Sequence, residues 1–354
     1  MKKHEEWIDN LKGLGIILIV FHHSFFPSNS IVKHYFISFM VPLFFFISGF
    51  LYNQKPNFTL WDYLKTRFNR LIIPYLSFNI LAYLVLGLQG LITKKAHYLT
   101  ISGLKNFLEY LFYGIYTHNP DRHVVNIPTW FLPCLFFTGL FFYIIDKYLK
   151  SRNLKLLIII VLSVLIFFES KLLEWNHIDF RLPYSLDIAF MALLFYGLGN
   201  IFKTEILNLV QRVNKFHLLL IPILVAINIY FANDTQMSTN GYDNYFKLLI
   251  CSILGISVFT IISKVIGKSF LGYYGANSII VLCMQWIDKM SYSIIVFLSF
   301  NQLSKNPGYI SGIVETIVCM IFLIPIIYII NQYFPFLIGN FKQKTKLFPS
   351  EKPS

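Results

Sequence analysis

The residues best suited to chemistry lie in one apolar run, WIDNLKGLGIILIVFHHSFF, which begins at Trp7. Asp9 and Lys12 stand at its mouth, and His22 and His23 lie well inside it. Ionisable groups at bilayer depth are costly and mark a pathway or a reaction centre. On an α-helix the step from Lys12 to His23 is about three turns, so the two share a face roughly 16 Å apart along the axis. A neutral imidazole titrates near operating pH when unperturbed, which suits a general base. It can take the proton of a sugar hydroxyl as that oxygen attacks a thioester. His22, rotated by about 100° from His23, is expected to face another helix or a second polar partner. His23 is therefore the favoured base. A histidine that merely hydrogen-bonds a neighbouring helix is the plain alternative, and the proximity of Lys12, Asp9 and His22 weighs against it.

The elements that must hold these groups are membrane helices. Of the 354 residues, 56% are hydrophobic and only 13% are charged, against about 25% charged in a soluble chain. The first run reads as a span and not a secretory leader, because no small-residue cleavage site follows it and further apolar spans come at once. Stretches long and apolar enough to cross a bilayer are expected at 11–27, 36–53, 71–92, 129–148, 154–170, 185–202, 216–232, 246–264, 276–299 and 310–333. The stretch 104–116 is too short to cross and fits an interfacial or re-entrant helix. With the N-terminus in the cytoplasm, basic residues fall roughly two to one on the cytoplasmic side. The expectation is an all-α, multi-pass plasma-membrane protein of about ten helices with both termini cytoplasmic. One membrane domain spans 1–340, and a basic, disordered cytoplasmic tail follows at 341–354.

The net charge of +13 needs no nucleic acid; topology and attraction to anionic membrane lipid account for it. Cys134, Cys251, Cys283 and Cys319 all lie in apolar runs without metal-ligand or disulfide spacing, so they read as packing residues and no metal is expected.

Other polar groups stand in or near the spans. Arg67 and Arg70 lie three apart at the mouth of the third span, just before Pro74. Two guanidinium forks there suit a phosphate-rich ligand, while simple positive-inside anchoring is the alternative. Trp130, between Pro128 and Pro133, is either an interfacial belt anchor or a stacking platform for a sugar. Asp187 and Glu315 are ionisable and near the outer ends of their spans, where they could bind an acceptor. Asn277, Ser278 and Gln285 complete the polar set, and some of these groups must simply join helices.

Taken in order, these segments resemble a known family. DNLKGLGIILIVFHH, PLFFFISGFLY, the arginine pair before LIIP, PTWFL, DIAFMALLFYGLG and GANSIIVL are similar to the acyltransferase-3 membrane acyltransferases, near the fucose 4-O-acetylase-like and polysaccharide O-acetyltransferase branch. The resemblance runs along essentially the whole chain. It implies a ten-helix fold, acetyl-CoA as donor from the cytoplasm, and O-acetylation of a glycan or lipid-linked saccharide. It also implies that His23 is the essential histidine, that Lys12 belongs to its motif, and that Arg67 and Arg70 act on the donor side. Where many relatives carry a second histidine after the Asn-Ser segment, this chain has Gln285, which hydrogen-bonds but does not titrate. The branch with a fused SGNH domain is not expected, given the short tail. An exporter or flippase for a polysaccharide precursor, or a non-catalytic accessory of export, is the alternative from another class, although transport does not obviously require Lys12, His23 and the arginines.

Overall fold

The computed structural model describes residues 6–24, 30–54, 59–92, 99–113, 125–178, 180–232, 237–285 and 308–341. Every secondary-structure element among them is helical, because a backbone in lipid must satisfy its own N–H and C=O groups. The first helices are α1 (Glu6–His23), α2 (Ile31–Leu51), α3 (Leu60–Arg67) and α4 (Ile73–Ile92). Next come α5 (Ile101–Tyr113), α6 (Phe131–Tyr148), α7 (Arg152–Trp175), α8 (Leu186–Ile201), α9 (Lys203–Arg212) and α10 (Ile221–Phe231). The rest are α11 (Tyr245–Ile266), α12 (Leu271–Ala276), α13 (Ser278–Met284) and α14 (Tyr309–Tyr333).

Among the described residues, seven helical runs are long and apolar enough to cross a membrane. They correspond to the expected spans at 36–53, 71–92, 129–148, 154–170, 185–202, 246–264 and 310–333. The protein is an all-α polytopic membrane protein. α1 falls outside those seven runs; it carries Glu6, Asp9 and Lys12 and buries most of its surface. The expected span 216–232 differs from expectation. α10 has only 11 α-helical residues, preceded by a 3₁₀ turn, and reaches crossing length only together with α9, from which it bends by 104°. The expected span 276–299 is described only as far as Gln285, and its start is broken at Asn277 between α12 and α13. The tail beyond 341 lies outside the described residues.

The third span also differs from expectation. It begins at Leu60, not at 71, and a π-helical turn at Phe68–Ile72 joins α3 to α4. Pro74 is the physical reason. It has no N–H to give the Arg70 carbonyl, and its ring crowds that carbonyl, so the ladder widens. The Ile73 N–H reaches back to Phe68 instead. This widened turn carries Arg70, with Arg67 directly before it.

Burial runs opposite to that of a soluble protein. On α7, Leu154, Leu157, Val161, Leu165, Phe168 and Leu172 form one exposed apolar stripe at helical spacing, while Ser163 and Ser170 are buried. Where helices touch, small residues let backbones approach, as membrane packing favours. A Cβ on Gly49 of α2 would lie 1.8 Å from the Tyr196 carbonyl oxygen, and one on Gly199 of α8 would lie 2.1 Å from that of Phe46. α5 fits the short-helix expectation: its 13 residues bury Gly103, Phe107 and Tyr110, and Phe107 stacks on Tyr83 at 4.2 Å.

Candidate functional site: two cavities on one helix

The site starts from the glycines of DNLKGLG. A Cβ on Gly13 would sit 2.0 Å from the Leu271 carbonyl oxygen, and one on Gly275 would sit 1.8 Å from that of Asp9. This pair of glycines lets α1 and α12 touch backbone to backbone. Asn10 then fixes the turn before α12: its amide donates to the Ser263 carbonyl at 3.2 Å and to the Gly267 carbonyl, and its oxygen accepts from Ser269 at 2.8 Å. The contact brings the Lys12 end of α1 beside the helix break at Asn277. The Asn277 side chain donates to the Tyr273 carbonyl at 2.8 Å and accepts from Asn331 at 2.8 Å.

Around this contact lies a cavity of about 440 Å³, whose polar lining includes Lys12, Ser48, Arg67, Arg70, Asn277 and Ser278. The volume falls within the usual range for small-molecule sites. Lys12 is paired at 3.0 Å with Asp9 on the preceding turn. The Arg67 guanidinium sits over the Tyr63 ring, 5.5 Å from its centre, and Arg70 is exposed. The hydroxyls of Tyr63 and Tyr196 are buried. The cavity is cationic.

A second cavity of about 340 Å³ lies at the other end of α1 and is lined by His22, His23, Ser24, Lys33, Trp130 and Ser238, among others. His22 was expected to face elsewhere. Instead both imidazoles line this cavity, with ring centres 5.1 Å apart and planes at 70°. A short side chain at the very end of a helix escapes strict helical facing, since the chain leaves the helix at Ser24. His22 Nδ1 is buried with no hydrogen-bond partner among the described residues, and His23 is exposed. Trp130 is buried, so it faces inward and is not a lipid-belt anchor.

Trp130 is held from behind by polar groups that sequence reasoning missed. Asn79 donates to Thr129 at 2.9 Å, and Thr129 and Tyr110 both donate to the Asn126 carbonyl, at 2.7 and 2.5 Å. The Asn126 amide donates to the Cys283 carbonyl at 2.8 Å. A lone asparagine in an apolar span, as at Asn79, was the available signal, because buried amides need partners. Lys33 was also missed; only its position at the start of α2 could have pointed to it.

The structure separates the remaining candidates. Asn277 and Ser278 join Lys12, Arg67 and Arg70 in the cationic cavity. Asp187, Gln285 and Glu315 line neither cavity. Asp187 is buried and bound by Arg181 at 2.6 Å, and Arg181 also donates to the Ser238 carbonyl at 3.4 Å. Gln285 is buried and donates to the Leu282 carbonyl at 3.1 Å. Glu315 is buried within α14.

The fold and site define a polytopic helical membrane protein with a cationic cavity and a histidine-lined cavity on the same helix. The comparison with protein families makes the class specific: the acyltransferase domain of the acyltransferase-3 type matches residues 5–332, and the chain belongs to that family of membrane acyltransferases. No curated protein and no solved structure matches it.

Proposed function

We propose that this chain transfers an acetyl group from acetyl-CoA, held in the cationic cavity, to a hydroxyl of a cell-surface glycan or lipid-linked saccharide in the histidine cavity. The observation that carries the reading is that α1 lines both cavities, with Lys12 in one, His22 and His23 in the other, and Ile19 in the wall between them. Arg67, Arg70 and Lys12 supply charge-assisted donors for the CoA phosphates, and Asn277 and Ser278 offer further hydrogen bonds. Trp130 offers an apolar face to a sugar ring. The acceptor oxygen bonds to the thioester carbonyl carbon as the C–S bond breaks. His23 takes the hydroxyl proton and returns it to the departing sulfur. His22 shares this cavity and orients the second imidazole or the acceptor.

The basic residues favour a cationic cavity open to the cytoplasm and a histidine cavity on the outer side of the plasma membrane. Acetyl would then cross while CoA stays behind. An exporter would need a passage for a whole saccharide, whereas the two cavities share an apolar wall. Sealed vesicles of known orientation test the reading. Labelled acetyl-CoA on the cytoplasmic face alone should label a glycan presented only on the opposite face. Labelling that needs both substrates on the cytoplasmic side would remove transfer across the membrane, and no labelling under any arrangement would remove acetyl transfer itself.

A further inference from the structure

Four side chains line both cavities: Ile19, Phe44, Phe131 and Leu282. They come from α1, α2, α6 and α13, so the shared wall is built by four separate helices. We propose that this collar sets the length of the acyl chain, admitting acetyl and rejecting chains of butyryl length or longer; the inference rests on the donor reading above.

Ile19 lies one turn before His23 on the same face of α1, about 6 Å along the axis. A carbonyl carbon within reach of an oxygen that His23 deprotonates therefore lies at the collar, with the acyl chain packed against its walls. Those walls have little room to give. Ile19 and Leu282 are buried. The rings of Phe44 and Phe131 meet edge to face at 5.9 Å. Behind Phe131 stands Phe45, fully buried, at 4.8 Å, so the Phe131 ring cannot retreat without displacing packed core. A close-packed interior resists each added methylene. All four side chains are apolar, so the collar favours the acyl group over water.

Affinities read the proposal without an identified acceptor. The purified full-length protein is titrated with CoA, acetyl-CoA, butyryl-CoA and hexanoyl-CoA, and each acyl-CoA affinity is divided by that of CoA. One misfitting methylene in an apolar pocket is worth about tenfold or more. Wild type should hold acetyl-CoA at least as well as CoA and butyryl-CoA at least about tenfold less well. Phe44→Ala should raise the butyryl ratio by about tenfold with little change in the acetyl ratio. Ile19→Phe should lower the acetyl ratio. If Phe44→Ala fails to fold, Phe44→Leu should give the same change in smaller measure. Wild-type ratios equal for all three chains, or unchanged ratios in folded variants, would overturn the collar while leaving the donor reading in place. Absence of CoA binding by folded wild type would overturn both.

Discussion

Removing Arg181 alone should destabilise this protein sharply. Its guanidinium binds Asp187 at 2.6 Å, and the two side chains are only 11% and 3% exposed. The second carboxylate oxygen, Oδ1, has no hydrogen-bond partner among the described residues, so Arg181 supplies nearly all the compensation for burying that charge. Unit charges 4 Å apart attract by about 4 kcal/mol at an effective dielectric of 20, and deleting one member of a buried pair typically costs about 3–5 kcal/mol. Arg181→Met, which keeps much of the apolar stem, should therefore lose about 3–5 kcal/mol in reversible unfolding from mixed micelles. The double variant Arg181→Met/Asp187→Asn should recover most of this loss, because no unpaired charge remains. Activity should return with stability, since neither side chain lines either of the two cavities. A single variant within about 0.5 kcal/mol of wild type would refute the account of the pair. So would a stable but inactive double variant, which would make Asp187 an acceptor ligand.

Two further outcomes follow from the site. His23→Ala should lower acetyl transfer by about 10²–10⁴-fold in protein that still inserts and binds CoA, with a milder loss in His22→Ala; equal, near-normal rates in both would remove the base. Gly275→Ala forces a methyl against the Asp9 carbonyl, and overpacking of this kind costs about 1–3 kcal/mol. It should also weaken CoA binding by parting Lys12 from Asn277, so unchanged CoA affinity in titration would separate the glycine contact from the donor cavity.

Local features were legible in the sequence. Hydropathy and span length established an all-α membrane protein, because a lipid phase leaves a buried backbone few alternatives. A short helix near α5 followed from the length of its apolar stretch, the spacing of Lys12 and His23 along α1 followed from helical periodicity, and the arginine pair followed from its place before Pro74. What a side chain faces was not legible in the same way. Asp187 looked like an acceptor ligand because its sequence neighbours do not show Arg181 folding back on it, nor the Ser238 carbonyl 57 positions from that arginine. For Trp130 the sequence left a belt anchor and a stacking platform both open, because the bond from Asn126 that fixes its turn reaches Cys283, 157 positions away. His22 was turned away by ideal helical geometry, yet the end of α1 brings both imidazoles into one cavity. Lys33 joins them only because α2 packs beside α1. Periodicity is written in neighbours along the chain, so the sequence by itself determined the helices and which groups ride on each. Cavities, partners and the shared wall of Ile19, Phe44, Phe131 and Leu282 arise from contacts among segments far apart in the chain, and only the tertiary structure decided them.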